Sequence, residues 1–178
     1  MTELPIITDQ KQDRTCGECQ ACCWFFALPF LDKPAREKCK YQCDAGCAIH
    51  DKERHRVCTE FLCGWRENRT WPDEWRPDKS DILFCHRGGF IRPDRKGKVE
   101  LWQGYLLRPH ADTEGIGPQI TYRLNKAGDI ILYYRKEDDY KVVRLDSRRV
   151  PWVDPAKVIP FILERIARDR ARLYTTAA

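Results

Sequence analysis

Nine of the ten cysteines of this 178-residue chain lie in one stretch, in three groups: Cys16-Gly-Glu-Cys19-Gln-Ala-Cys22-Cys23, Cys39-Lys-Tyr-Gln-Cys43-Asp-Ala-Gly-Cys47 and Cys58-Thr-Glu-Phe-Leu-Cys63-Gly-Trp65. The N-terminus lacks the basic region and apolar run of a secretory signal. No apolar run approaches the roughly 18 residues that span a bilayer. We therefore expect a cytoplasmic protein with no membrane-spanning segment. Because cytoplasmic thiols stay reduced, this cysteine density predicts metal ligation or redox chemistry rather than disulfides.

The first group has a spacing that suits metal binding. Two residues between cysteines allow both thiolates to reach one ion, and Cys16, Cys19 and Cys22 repeat this spacing. Adjacent side chains diverge by about 100° on a helix, so Cys22 and Cys23 should rarely bind one ion together. Cys23 then serves a second ion, or it is a small buried apolar residue. The pattern favours more than one ion or a polynuclear cluster.

The predicted metal ligands are the nine clustered cysteines: Cys16, Cys19, Cys22, Cys23, Cys39, Cys43, Cys47, Cys58 and Cys63. Thiolates select zinc, iron or copper(I) over magnesium or calcium, and four of them suffice for an iron–sulfur cluster. His50 and His55 lie between the groups and are open as ligands, with a surface or supporting role expected. Cys85 is expected to be a core thiol, although it could approach the metal site.

The cysteine pattern resembles the YkgJ-type cysteine cluster family, described as a zinc- or iron-chelating domain. The matching residues are Cys16, Cys19, Cys22, Cys23, Cys39, Cys43, Gly46, Cys47, Ile49, Arg54, Cys58, Phe61, Cys63 and Trp65. The downstream Asp-Glu-Trp-Arg-Pro-Asp at residues 73–78 resembles a subset of that family. The resemblance implies metal chelation by the cysteines and supplies no reaction.

The rest of the chain predicts an α+β protein. A small, mainly helical cysteine-rich metal-binding module (16–66) is followed by a connector (67–80) and by an antiparallel β-meander with a C-terminal helix (81–174). Alternating apolar residues predict strands at 81–85, 97–107, 119–124, 130–134 and 140–145. The C-terminal helix is expected to open at Asp154-Pro155 or Pro160 and to run to Tyr174.

Two apolar segments are expected to join the module to the sheet. Trp24–Leu31 should pack between the two, because the cysteine-rich module has few aliphatic residues of its own. In the connector, Trp71 and Trp75 should pack against one of the modules, since large aromatic side chains bury much apolar area.

Net charge and motifs narrow the function classes. The formal charge of +5 is spread outside the cysteine module, which does not favour nucleic-acid binding. No serine–histidine–aspartate set, phosphate-binding glycine loop or catalytic carboxylate pair is present in the sequence, so no catalytic residue is assigned. The predicted function is zinc or iron binding with a mainly structural metal, and the β part offers a surface for a protein partner. The alternatives are an iron–sulfur redox or electron-transfer protein and a metal storage or delivery protein.

Overall fold

The computed structural model describes residues 14–49, 55–91, 98–127, 130–136 and 139–143, together with positions 160, 164 and 168. The expectations for His50, for Arg54 and for a helix opening at Asp154 lie outside the described residues.

The cysteine-rich segment and the connector consist of short elements. Their helices are α1 Ala21–Phe25, α2 Arg56–Glu60, α3 Gly64–Glu67 and α4 Pro77–Ser80, with 3-10 turns at Pro29–Leu31 and Asp73–Trp75. A two-stranded hairpin is formed by β1 Gln42–Cys43 and β2 Gly46–Cys47. Helices of four or five residues are far below the length that is stable alone, so this part depends on tertiary contacts.

A four-stranded sheet follows, in the order β3-β4-β5-β6. Its strands are β3 Ile82–Ile91, β4 Lys98–Leu106, β5 Ile130–Lys136 and β6 Asp139–Val143, and helix α5 spans Gly117–Ala127. The α+β class is confirmed. The antiparallel arrangement holds for β3–β4 and β5–β6, whereas β4 and β5 run parallel. The predicted meander is corrected at this point, because a parallel pair needs a crossover connection and α5 supplies it.

The strand predicted at 119–124 is wrong, because these residues belong to helix α5. Ile120 and Leu124 are buried, whereas Tyr122 between them is 65% exposed. Apolar residues at i and i+4 lie on one face of a helix, and the residue at i+2 lies on the other side. These three residues therefore fit the period of two of a strand, while Ile120 and Leu124 also fit the helical period of 3.6. The exposure of Tyr122 shows that the helical period is the correct one.

The core joins the connector to the sheet through aromatic rings. Trp71 and Trp75 are 5% and 4% exposed, which confirms the expected packing of the connector. The ring of Trp71 lies 5.1 Å from Trp75, 4.6 Å from Trp102 on β4 and 5.4 Å from Phe84 on β3, between centroids. Side chains of this size bury about 150–250 Å² each, so this cluster fixes the position of the chain that follows Cys63.

The apolar stretch Trp24–Leu31 also reaches the sheet. Phe25 and Phe26 lie with ring centroids 5.0 and 5.4 Å from Tyr105 of β4. Phe26 in addition lies 5.3 Å from Phe61, which follows α2. The expected packing of this stretch between cysteine-rich segment and sheet is confirmed for these two phenylalanines.

The C-terminal helix is confirmed at the positions that the structure describes. Pro160, Glu164 and Arg168 are helical and exposed. Arg168 lies 3.8 Å from Glu164, one turn earlier. Among the described residues, no helix combines the length and the apolar character that crossing a membrane requires.

Candidate metal centre

A tight turn leads the first cysteines into helix α1. The backbone N–H of Cys19 donates to the carbonyl of Cys16 at 2.9 Å. Gly17 has a φ of +54°, in the left-handed region that glycine adopts without steric cost. The turn ends at Gln20, and α1 then carries Cys22 and Cys23. The local sequence thus places four cysteines on eight residues of compact backbone.

The adjacent thiols of Cys22 and Cys23 are in contact. Their hydrogen bond, and then burial, raise the pKa of Cys22 well above its ordinary value. The charges of Cys23, Cys16 and Cys63 act in the same direction. In a tetrahedral zinc site with bonds of about 2.3 Å, ligand sulfurs lie roughly 3.8 Å apart, comparable to hydrogen-bonded thiols. The expected divergence along the helix therefore does not separate this pair.

Cys63 enters the same neighbourhood from the far end of the cysteine-rich segment. It is 7% exposed and precedes helix α3 as its N-cap residue. Burial raises its pKa, and the charge of Cys16 raises it further. Gly64 holds this residue close to the core, because a methyl group there would lie only 2.9 Å from Trp102 and 3.0 Å from Phe84.

Arg14 fastens the start of the first group to the chain beyond Cys63. Its guanidinium donates to the carbonyls of Trp65 at 2.9 Å, Arg69 at 2.8 Å and Trp71 at 2.6 Å. It also lies 4.6 Å from the centroid of the Trp65 ring. Arg14 thus gives a donor to the Trp65 carbonyl of the short helix α3 and to two carbonyls of the chain beyond it, which brings Cys16 near Cys63. No pattern in the sequence predicts this role of Arg14.

The second cysteine group reaches the first through Lys33 and through the hairpin. Cys39 is buried, and together with Cys23 and Cys22 it is among the charged groups nearest to Lys33. Burial lowers the pKa of Lys33, and negative charge on these three sulfurs would raise it. Sequence reasoning missed Lys33, since lysines are almost never fully buried.

The β1–β2 hairpin places Cys43 and Cys47 beside the first turn. The Gln20 side-chain amide donates to the carbonyl of Cys43 at 2.6 Å. Gly46 faces Gly17, and a methyl group at Gly46 would lie 3.7 Å from the Gly17 carbonyl oxygen. The hairpin therefore lies close to the Cys16–Cys19 turn, linked by the Gln20 side chain and by the close approach of Gly46 to Gly17.

The thiol of Cys19 contacts the connector. Burial raises its pKa to about 12, and hydrogen bonding to the Asp78 carboxylate adds to this. Arg76 holds that carboxylate at two points, with nitrogen–oxygen distances of 2.6 and 2.8 Å. The segment 73–78, which was noted for its resemblance to a subset of the YkgJ-type family, thus lies against the first Cys-x-x-Cys pair.

The remaining candidates are distributed around this neighbourhood. Cys58 is half-buried on α2 and makes a contact of its own. His55 caps α2, accepting a hydrogen bond from the Val57 N–H at its Nδ1, and its ring stacks on Phe30 at 3.6 Å. Both contacts give His55 a local structural role.

Cys85 lies in the sheet, as expected of a core thiol. It is 3% exposed, and burial raises its pKa to about 12, with a smaller effect from Cys63. The neighbouring His86 lies between two carboxylates, with Nδ1 3.1 Å from Glu67 and Nε2 2.6 Å from Glu100.

Several thiols of the cysteine-rich segment lie near one another, but the described side chains do not form a complete set of metal ligands. All ten cysteines are described, and none is in a disulfide. Among the described residues, no three histidine, cysteine or acidic side chains are arranged as they stand to hold one ion. Cys16, Cys22, Cys23 and Cys63 are close enough to act on one another electrostatically, and Cys39 acts in the same way on Lys33. The thiol of Cys19 contacts Asp78 of the connector. Metal ligation would require side-chain rotation and loss of the thiol protons.

Comparison with known proteins gives only local similarity. No protein-family model matches the chain, and no solved structure matches it. It is 34% identical over 71 residues to telomerase protein component 1 of Rattus norvegicus and 31% identical over 71 residues to that of Mus musculus. Each match covers 38% of this chain, and the chain spans about 3% of the length of these curated relatives.

Proposed function

We propose that this protein binds zinc or iron through the thiolates of its cysteine-rich segment and that the metal is mainly structural. One observation carries the proposal. Cys16 and Cys22 from the first group lie within electrostatic range of Cys63, more than forty residues later. Such a meeting of sulfurs from distant parts of a chain is typical of structural metal sites.

The distribution of burial supports a structural metal. Among described residues before Cys63, only Leu28 and Cys39 are buried hydrophobic residues, whereas the buried core lies almost entirely in the connector and sheet. Segments that cannot build their own core are commonly stabilised by metals. Because an unfolded chain has no preformed site, the free energy of metal binding would become free energy of folding for this segment.

The donor set fits the proposed ions. Thiolate sulfur is the soft ligand that zinc and iron–sulfur centres use, and hard cations such as magnesium prefer oxygen. When bound, a divalent ion would supply the positive charge that offsets the mutual repulsion of Cys16, Cys22, Cys23 and Cys63. These four sulfurs are the residues that we assign to the main site, with Cys39 beside them. Since thiols of this kind need a reducing environment, we propose the cytoplasm as the compartment.

A redox function is the second candidate, and the contact between Cys22 and Cys23 favours it. Two adjacent sulfurs on one helical turn, with Cys16 and Cys63 near them, give the four thiolates that an iron–sulfur cluster requires. Iron and acid-labile sulfide in anaerobically purified protein would support this candidate. Several exchangeable ions per chain would support storage or delivery instead. A protein partner for the β part stays a prediction.

Metal content and metal removal test the proposal. We expect elemental analysis of natively purified full-length protein to give at least one zinc or iron per chain. Chelation should make residues 16–63 sensitive to protease while the sheet stays protected. The double variant Cys22→Ala/Cys63→Ala should lose metal, whereas Cys85→Ala, a cysteine outside the predicted ligands, should retain it. Metal-free native protein, or full occupancy in the double variant, would contradict a cysteine metal site.

A further inference from the structure

Lys33 carries a buried positive charge beside the cysteines of the candidate metal centre. It is 5% exposed. Its Nζ donates to three backbone carbonyls, those of Trp24 at 3.1 Å, Pro34 at 3.0 Å and Phe26 at 2.5 Å. Three donated hydrogen bonds use all three protons of an ammonium group, so these contacts describe the charged form.

The carbonyl contacts satisfy the protons of Lys33, but a neutral carbonyl does not compensate its net charge. Within the described ranges, no carboxylate lies within ion-pairing distance of its Nζ. The acidic residue nearest in charge effect, Glu37, is exposed to solvent, which screens its interaction. A buried charge without a counter-charge raises the free energy of the folded state. Negative charge near Lys33 would therefore stabilise the fold.

The groups that can supply this negative charge are thiols. Cys22 and Cys23 precede Lys33 in the chain and Cys39 follows it, and a negative charge on any of the three would act on the Lys33 ammonium. The carbonyls of Trp24 and Phe26 belong to α1 and its end, so the same contacts that bury the ammonium also fix it next to Cys22 and Cys23.

We propose that Lys33 is the counter-charge of an anionic thiolate–metal centre, so that the centre holds its ion through at least three thiolates. This inference rests on the proposed metal binding. A divalent ion with four thiolates carries a net charge of −2, which one ammonium reduces to −1. A divalent ion with two thiolates and two neutral histidines carries no charge, and Lys33 would then be an uncompensated cation. The buried lysine thus selects sulfur-rich ligation over a mixed site with His50 or His55.

Two variants separate charge from backbone contact. Lys33→Gln removes the charge but retains two N–H donors for the carbonyls, whereas Lys33→Arg retains the charge and changes the donor geometry. Lys126→Met, on the exposed side of α5, is the control for the loss of a lysine charge elsewhere. Zinc affinity of the full-length chains is measured by competition with a chromophoric chelator, and the folding of each metal-free variant is followed by urea unfolding.

We expect Lys33→Gln to weaken zinc binding about 10–100-fold, the usual effect of removing a group that supports metal ligands. Lys33→Arg should stay within a few-fold of the unaltered chain, and Lys126→Met should not change the affinity. Unchanged affinity in Lys33→Gln, or equal loss in the glutamine and arginine variants, would overturn the counter-charge role while leaving metal binding intact.

A second measurement on the unaltered chain does not depend on any variant folding. Cobalt(II) in place of zinc gives sulfur-to-metal charge-transfer absorption whose intensity grows with the number of thiolate ligands. We expect an intensity that corresponds to three or four thiolates. An intensity for two or fewer would overturn the inference. Failure of the unaltered chain to bind zinc, cobalt(II) or iron would instead refute the proposed function itself.

Discussion

Replacing Gly64 by alanine tests how tightly helix α3 packs on the sheet directly after Cys63. The added methyl carbon would lie 2.9 Å from Trp102 Cζ3 and 3.0 Å from both Phe84 Cβ and Trp71 Cζ3, whereas ordinary contact begins near 3.4 Å. These neighbours are at most 5% exposed, so none of them can move into solvent. Inserting a methyl group into a filled core costs about 1–3 kcal/mol, and three simultaneous contacts place Gly64→Ala in the upper half of that range.

Urea unfolding and thermal melts measure this cost. For a chain of this length, about 2–3 kcal/mol corresponds to a decrease in Tm of roughly 5–10 °C. Gly115→Ala is the matched control, because a methyl group there meets no atom within 4 Å and strains only a backbone with φ of +57°. The control should cost about 1 kcal/mol. A Gly64→Ala variant as stable as Gly115→Ala would refute the described packing of α3.

Three further changes test other parts of the structure. Arg14→Gln should lower the free energy of unfolding by about 1–3 kcal/mol, since its charged hydrogen bonds to the carbonyls of Trp65 and Trp71 are lost. A change below 0.5 kcal/mol in urea unfolding, on the scale of ordinary surface substitutions, would contradict this. Lys79 donates to Asp73 and holds the pKa of that carboxyl below its ordinary value. The stabilisation is present above the unfolded-state pKa of about 3.9 and is lost as the pH falls through the folded-state value. In Asp73→Asn, the free energy of unfolding should therefore fall less steeply as the pH is lowered. An unchanged pH dependence would contradict the Lys79–Asp73 interaction. Gly117→Ala should destabilise by more than about 3 kcal/mol, because its methyl group would lie 1.7 Å from the Ala111 carbonyl oxygen; a normal melt would disprove that contact.

The strands show what periodicity can and cannot predict. Strands β3, β4, β5 and β6 overlap the predicted ranges, although consecutive residues 101–106 of β4 are all buried and do not alternate in exposure as the period-two pattern predicts. At residues 119–124 the apolar residues Ile120, Tyr122 and Leu124 satisfy both periods, and burial of the first and third alone identifies the helix. The proline at 118 was a start signal for that helix, since proline is favoured in the first helical turn.

The candidate centre was predictable as a set of residues but not as an arrangement. Cysteine spacing indicates which side chains can ligate, and the structure brings Cys16, Cys22 and Cys63 together. The contacts that do so involve Arg14 and Lys33, whose partners are backbone carbonyls. Because every residue offers a carbonyl, such partners leave no trace in a sequence pattern.

The intrinsic fluorescence of Trp71, Trp75 and Trp102 reports on the junction between connector and sheet. Trp71 lies within about 5 Å of Trp75 and Trp102, a separation at which excitation passes between indole rings before emission. Light absorbed by any of the three is therefore emitted from the shared cluster at the junction between connector and sheet. A displacement of the chain after Cys63 would alter the wavelength and intensity of that emission, so intrinsic fluorescence can follow the junction without an attached dye.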